Sequence, residues 1–134
     1  MVKQRPAGPD KVKFALEAAG QALFEHDQAS GEFNWTDLQS AMAILGISDP
    51  AILSHRDSLA AFMQPEEVTA REAALREAFD NRSSYTIEYR VSTGTHPLRW
   101  IEERGSWMKI NGNWRLIGVV RTIDEQKNRE ARLS

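Results

Sequence analysis

The sequence predicts an α+β fold in which helices and an antiparallel sheet occupy different stretches of the chain. Three observations predict it. Helical spacing of apolar residues is concentrated before residue 82. Tyr85, Ile87, Tyr89 and Val91 then alternate with Thr86, Glu88 and Arg90, the cleanest period-two run in the sequence. Asn111-Gly112, a strong signal for a two-residue hairpin, joins two long strand-like runs. Runs of strands set apart from runs of helices give antiparallel sheets, not βαβ units.

Residues 1–9 carry two prolines, a glycine and two basic residues and read as a flexible lead-in. A helix is expected from Lys11 to about Ala19, with Asp10 as N-cap and Gly20 as its stop. Val12, Leu16 and Ala19 share one face. A hairpin follows: Ala22 to Asp27 outgoing, Ala29-Ser30-Gly31 as the turn, and Glu32 to Thr36 returning with Phe33 and Trp35 on one face. Leu38, Met42 and Leu45 form a helical stripe ended by Gly46, and Ser48-Asp49-Pro50 opens another short piece. Pro65, with Glu66 and Glu67 beside it, opens a longer helix that ends near Asp80-Asn81. Thr93 to Pro97 is a turn, Leu98 to Ile110 a long strand with a bulge or bend expected at Gly105, and Trp114 to Ile123 the last strand. From Glu125 the chain turns charged and helical without a stop signal, so it reads as the start of a longer helix.

With 134 residues the chain has room for one domain. It has no cysteine, which excludes disulfides, zinc–thiolate sites, iron–sulfur clusters and thiol nucleophiles. Lys plus Arg is 17 and Asp plus Glu 19, a net charge of -2 that argues against a nucleic-acid partner. Neither an apolar run of membrane-spanning length nor a signal-peptide core is visible, and a cytoplasmic location is expected. No metal-ligand cluster, catalytic triad order or phosphate-cradling glycine loop is present, so no catalytic residue is assigned and the chain is not expected to be an enzyme.

The pieces stand in an order that resembles the PAS (Per-Arnt-Sim) sensor domain over about residues 12–127. They are Ala18-Ala19-Gly20 before the first strand; Asp27, Gly31 and Trp35 in the first hairpin; Leu45-Gly46; Gln64-Pro65-Glu66-Glu67; Glu88-Tyr89-Arg90-Val91; Gly94; Arg99-Trp100-Ile101; Asn111-Gly112; and Gly118-Val119-Val120-Arg121. The resemblance implies a five-stranded antiparallel sheet with helices on one face, a pocket between them, and a flanking N-terminal helix. It implies a PAS domain over 10–124 and an outgoing signalling helix over 125–134. Where the family ends its last strand with Asp-Ile-Thr, this chain has Thr122-Ile123-Asp124. Asp124 is therefore expected to take over the helix cap, and the ion pair of the missing carboxylate is lost.

Cofactor-bearing members of the family imply residues that are absent here. Flavin and covalent chromophore versions use a cysteine, and haem versions a histidine on the long helix, but 65–81 contains none. No cofactor or metal is expected, and an unknown small molecule remains as the ligand. Of the histidines, His55 and His96 read as solvated or structural, whereas His26, flanked by Glu25 and Asp27, is a pocket candidate. Glu88, Arg90 and Arg104, near Glu102 and Glu103 on adjacent strands, are the other pocket candidates, against the blander reading of cross-strand ion pairs on a half-wet face. Arg71, Arg76 and Arg82, interleaved with acids, read as a solvated helix face. The four tryptophans read as core, or as cover for the outer sheet face at a dimer contact.

The expected function is sensory or relay: ligand binding or dimer state coupled through Thr122, Ile123 and Asp124 to a C-terminal output domain such as a kinase, a diguanylate cyclase or phosphodiesterase, or a regulator. A homodimer is expected through the flanking helix at Val12 and Leu16. One alternative is a ligand-free dimerisation module. Another, from a different class, is a small cone-shaped α+β isomerase or dehydratase. That fold normally leads with its long helices and needs an Asp/His pair in the pocket, for which only His26 with Glu25 or Asp27 is available.

Overall fold

The computed structural model describes residues 9–93 and 98–133. The lead-in over 1–8 and the turn over 94–97, with Gly94 and His96, lie outside the described residues. In chain order the elements are α1 (Pro9–Ala18), β1 (Gln21–Asp27), β2 (Phe33–Trp35), α2 (Leu38–Leu45), a 3-10 turn (Pro50–Ser54), α3 (Arg56–Ala60), α4 (Pro65–Asn81), β3 (Ser84–Val91), β4 (Arg99–Ile110), β5 (Asn113–Thr122) and α5 (Asp124–Leu133). The strands form one antiparallel sheet in the order β2-β1-β5-β4-β3. This is the expected five-stranded α+β fold, with the β1–β2 hairpin ahead of the longer helices.

Local chemistry sets the element ends. Asp37 accepts the Gln39 and Ser40 amides and starts α2, and Gly46, at φ 71, ends it in the left-handed region. Asp49 caps the 3-10 turn through the Ala51 amide. Asn111 (φ 49) and Gly112 (φ 83) make the tight turn between β4 and β5, with both central residues left-handed, as a type I′ hairpin requires. At the start of the chain, Pro9 already opens α1, so Asp10 lies inside the first turn and not at the cap.

The core lies between one sheet face and the helices. Phe24, Leu45, Tyr89, Val91, Ile101, Leu116 and Val120 are all buried. In α2 the deepest residues are Ala41 and Leu45, while Leu38, part of the expected stripe, is exposed. Trp35 donates its indole N–H to the Leu53 carbonyl at 2.9 Å and tilts against Phe24. The bulge expected at Gly105 is absent: Gly105 pairs in register with Tyr85 on one side and Gly118 on the other. Its role is clearance. A Cβ on Gly105 would stand 2.8 Å from both the Ile117 carbonyl oxygen and the Tyr85 hydroxyl, and one on Gly118 would stand 2.5 Å from the Phe24 ring. The missing side chains let two aromatic rings lie flat on the sheet beneath the helices.

Candidate functional site

A cavity of about 420 Å³ opens between the inner sheet face and helices α3 and α4. Its size is within the usual range for small-molecule sites. One wall is aromatic: His26 of β1 stacks on Phe33 of β2 with ring centroids 4.6 Å apart and planes within 9°. Trp107 of β4 meets Phe79 of α4 edge-on at 5.4 Å, and its indole N–H is held by the Leu75 carbonyl. Leu59, Met63, Val68 and Leu75 supply the aliphatic side. The polar groups at its margin are Gln28, Arg71, Glu72 and Arg76.

Behind this wall sits a buried ionic cluster. Glu103 of β4 is 1% exposed. Its Oε1 accepts Arg71 Nε at 3.0 Å and the Tyr89 hydroxyl at 2.8 Å, and its Oε2 accepts Arg71 Nη2 at 3.0 Å and the Tyr85 hydroxyl. These four bonds fill the acceptor capacity of a carboxylate. The register explains the geometry: Tyr85 and Tyr89 of β3 flank Glu103 diagonally from the adjacent strand, while Arg71 reaches down from α4. Burial, followed by the charge of Glu103, pushes both phenols far above their ordinary range, so they remain donors. Burial disfavours the Arg71 cation, but the Glu103 carboxylate more than offsets this and holds its pKa above the usual value.

Of the four expected pocket residues, only His26 lines the cavity. It is buried at 3% exposure. Its sequence neighbours do not share that site: Glu25 pairs with Arg115 at 3.3 Å and Asp27 accepts the Ala29 amide in the turn, because alternate strand residues face opposite sides. Glu88, Arg90 and Arg104 are corrections. Their parity in β3 and β4 places them away from the cavity. Glu88 is exposed and binds Lys127 of α5 at 2.7 Å, Arg104 is exposed and binds Glu102, and Arg90 turns round the sheet edge to Glu67 of α4. These charges are paired, but Glu88 and Arg90 with helix residues and Arg104 within its own strand, not across strands as expected. Arg121 adds to that charged face, donating to Glu102 at 2.8 Å; the Arg121 hydrogen bond, against partial burial, draws the Glu102 pKa down.

Arg71, read from the sequence as solvated, is the correction in the other direction. Arg71, Glu103, Tyr85 and Tyr89 were missed as a set. One signal pointed to them: Glu103 shares parity with Ile101 and Trp107, so an acid stands in an apolar row and requires a buried partner.

At the exit, Ile123 is buried and Thr122 exposed. Asp124 is not the cap. The Lys127 amide bonds to the Ile123 carbonyl, so the helix starts one residue earlier, and the Asp124 carboxylate instead accepts the Trp100 amide at 2.7 Å. The Trp100 carbonyl receives the Ile123 amide at 2.9 Å. Both backbone groups of one β4 residue thus hold the start of α5. Lys127 also lies over the Trp100 ring at 4.7 Å, so this tryptophan is covered by the chain's own helix. In α1, Leu16 is half-buried, Val12 is 42% exposed and Phe14 is 73% exposed.

A family model for the PAS fold matches residues 35–120, from β2 through nearly all of β5. This chain belongs to the PAS fold family. A Blue-light-activated histidine kinase of Brucella anthropi is 22% identical over 129 residues, which is 96% of this chain and 25% of the kinase. The PAS chain thus spans a quarter of that curated relative. Among solved structures, a sensory box histidine kinase/response regulator from Burkholderia thailandensis superposes with a TM-score of 0.71 at 22% identity, covering 92% of each chain. The N-terminal domain of a diguanylate cyclase with PAS/PAC sensor from Marinobacter aquaeolei gives 0.67 at 16% identity, covering 80% of this chain and 98% of that one. These likenesses establish the fold. Light-oxygen-voltage proteins are also among the similar structures. No cluster of three or more metal-ligating side chains occurs among the described residues, and no described helix is long and apolar enough to cross a membrane.

Proposed function

We propose that this PAS domain is the sensory element of a larger signalling protein, a non-enzymatic module that binds a small molecule between α4 and the sheet. One observation carries the reading. Arg71, in the cavity wall, is bonded to Glu103 of β4, and the same strand begins at Arg99-Trp100, where α5 is held. A ligand that moves Arg71 therefore acts on the strand to which the outgoing helix is tied. A ligand can shift the α5 orientation only through different affinities for two arrangements of this connection. The output domain, joined after α5, is a kinase, cyclase or regulator like those in which the similar domains occur. The lead-in over 1–9, the PAS unit over 10–124 and the signalling helix from 125 are the division that fits this role, and the cytoplasm its compartment.

A homodimer through α1 is the assembly we favour, because Val12 and Phe14 are exposed on a ten-residue helix. The test is native mass spectrometry of the purified chain beside a denaturing run. Extra mass that is lost on denaturation supports a bound ligand. A dimer without extra mass favours the ligand-free relay, and an empty monomer that takes up nothing from a metabolite mixture overturns the sensor.

A further inference from the structure

We infer that the cavity takes a small planar aromatic carboxylate, one or two rings in size; this rests on the sensor reading above. Two independent features specify it. The first is shape. The lining brings four rings together, His26 stacked on Phe33 and Phe79 edge-on to Trp107, with His26 and Trp107 6.4 Å apart. Faces and edges of these rings offer stacking to a flat ligand, worth roughly 0.5–1.5 kcal/mol per pair beyond area burial. A volume of about 420 Å³ lies toward the small end of ligand sites, which limits the ring count.

The second feature is polarity. Glu103 is saturated by its four donors and has no acceptor site left to offer a ligand. The Tyr85 and Tyr89 hydroxyl protons are spent on it, and the Trp107 N–H is spent on Leu75. Arg71 uses Nε and one Nη2 hydrogen on Glu103, so three of its five guanidinium N–H groups are not engaged by that carboxylate. The ionic cluster therefore meets the cavity through the Arg71 guanidinium, which can only donate. The exposed Arg76 adds a second guanidinium at the rim, where Glu72 and Gln28 are exposed and open to water. A carboxylate suits this arrangement, since charge-assisted, planar bonds to a guanidinium are the strong ones.

The test compares three probes on the wild-type chain by isothermal titration calorimetry: 2-naphthoate, 2-naphthalenemethanol and octanoate. They separate ring from chain and anion from neutral group. Naphthoate is expected to bind about tenfold more tightly than either, the worth of one charge-assisted bond against the alcohol and of the ring contacts against octanoate. Arg76→Gln should weaken naphthoate and leave the alcohol unchanged. Equal binding of the alcohol overturns the anion assignment, and octanoate binding as well as naphthoate overturns the planar one; the sensor reading survives both. Binding of none of the three overturns this inference, and the native mass measurement then decides the sensor reading separately. Arg71→Lys, which keeps the charge but loses the fork, should weaken naphthoate further. Should that variant fail to fold, the three-probe comparison stands alone.

Discussion

Replacing Glu103 with glutamine tests the ionic cluster with almost no change in shape. In the wild-type chain both carboxylate oxygens face donors, two from Arg71 and two from tyrosine hydroxyls, in a site that is 1% exposed. Glutamine turns one oxygen into an NH₂ group. Whichever way the amide is placed, one Arg71 N–H then points at a donor, the tyrosine hydroxyl on that side must turn to accept, and the Arg71 cation loses its counter-charge in a buried position. Breaking a buried pair in this way costs about 3–5 kcal/mol. Whole-domain stabilities are about 5–15 kcal/mol, so Glu103→Gln should fold marginally. Urea unfolding followed by tryptophan fluorescence should show the midpoint falling with the slope unchanged. The double change Arg71→Met with Glu103→Leu removes both charges but strands two phenolic hydroxyls, each costing about 1–3 kcal/mol. It should remain below wild type. Adding Tyr85→Phe and Tyr89→Phe should recover most of the loss. A Glu103→Gln domain within about 1 kcal/mol of wild type would refute the account, because no network of this geometry leaves so small a trace.

Three further outcomes are expected. Glu102, its folded pKa drawn down by Arg121, stabilises the fold above the unfolded carboxylate pKa of about 4.3 and loses that contribution as pH falls through its lower folded value; Glu102→Gln should flatten the acid limb of a stability–pH curve, and an unchanged limb would count against the pair. Gly118→Ala, whose Cβ would stand 2.5 Å from the Phe24 ring and 2.8 Å from the Arg104 carbonyl oxygen, should destabilise by about 1–3 kcal/mol in thermal or urea melts. Asp124→Ala removes the acceptor of the Trp100 amide, so that amide should exchange with solvent faster and the start of α5 should lose protection in hydrogen-exchange mass spectrometry; protection equal to wild type would mean the carboxylate does not hold the helix.

The local signals were read well because each is decided within a few residues. The alternation around Tyr89 gave β3, the turn chemistry of Asn111-Gly112 gave the β4–β5 hairpin, and Pro65 to Asn81 was delimited by its opening proline and the break after it. Two of the errors share one origin, a partner far away in sequence. Asp124 matched an N-cap by position, yet its carboxylate is engaged by an amide 24 residues earlier. Arg71 matched a solvated helix face by its neighbours, yet it is bonded to a carboxylate 32 residues later.

The candidate site divides in the same way. Alternation established that Glu88, Arg90 and Arg104 fall in polar rows of their strands, and it placed Glu103 in the row of Ile101 and Trp107. Parity is a relative quantity: it says which residues share a face and leaves open which face meets the helices. Only the packing of α4 across β3 and β4 decided that, bringing Arg71 to Glu103 and turning the other charged row outward to pair with Arg121 and Lys127. By itself the sequence determined the elements, their order and the family they resemble. The tertiary structure decided which charges are buried, because burial is set by contacts between segments that the chain separates and the fold brings together.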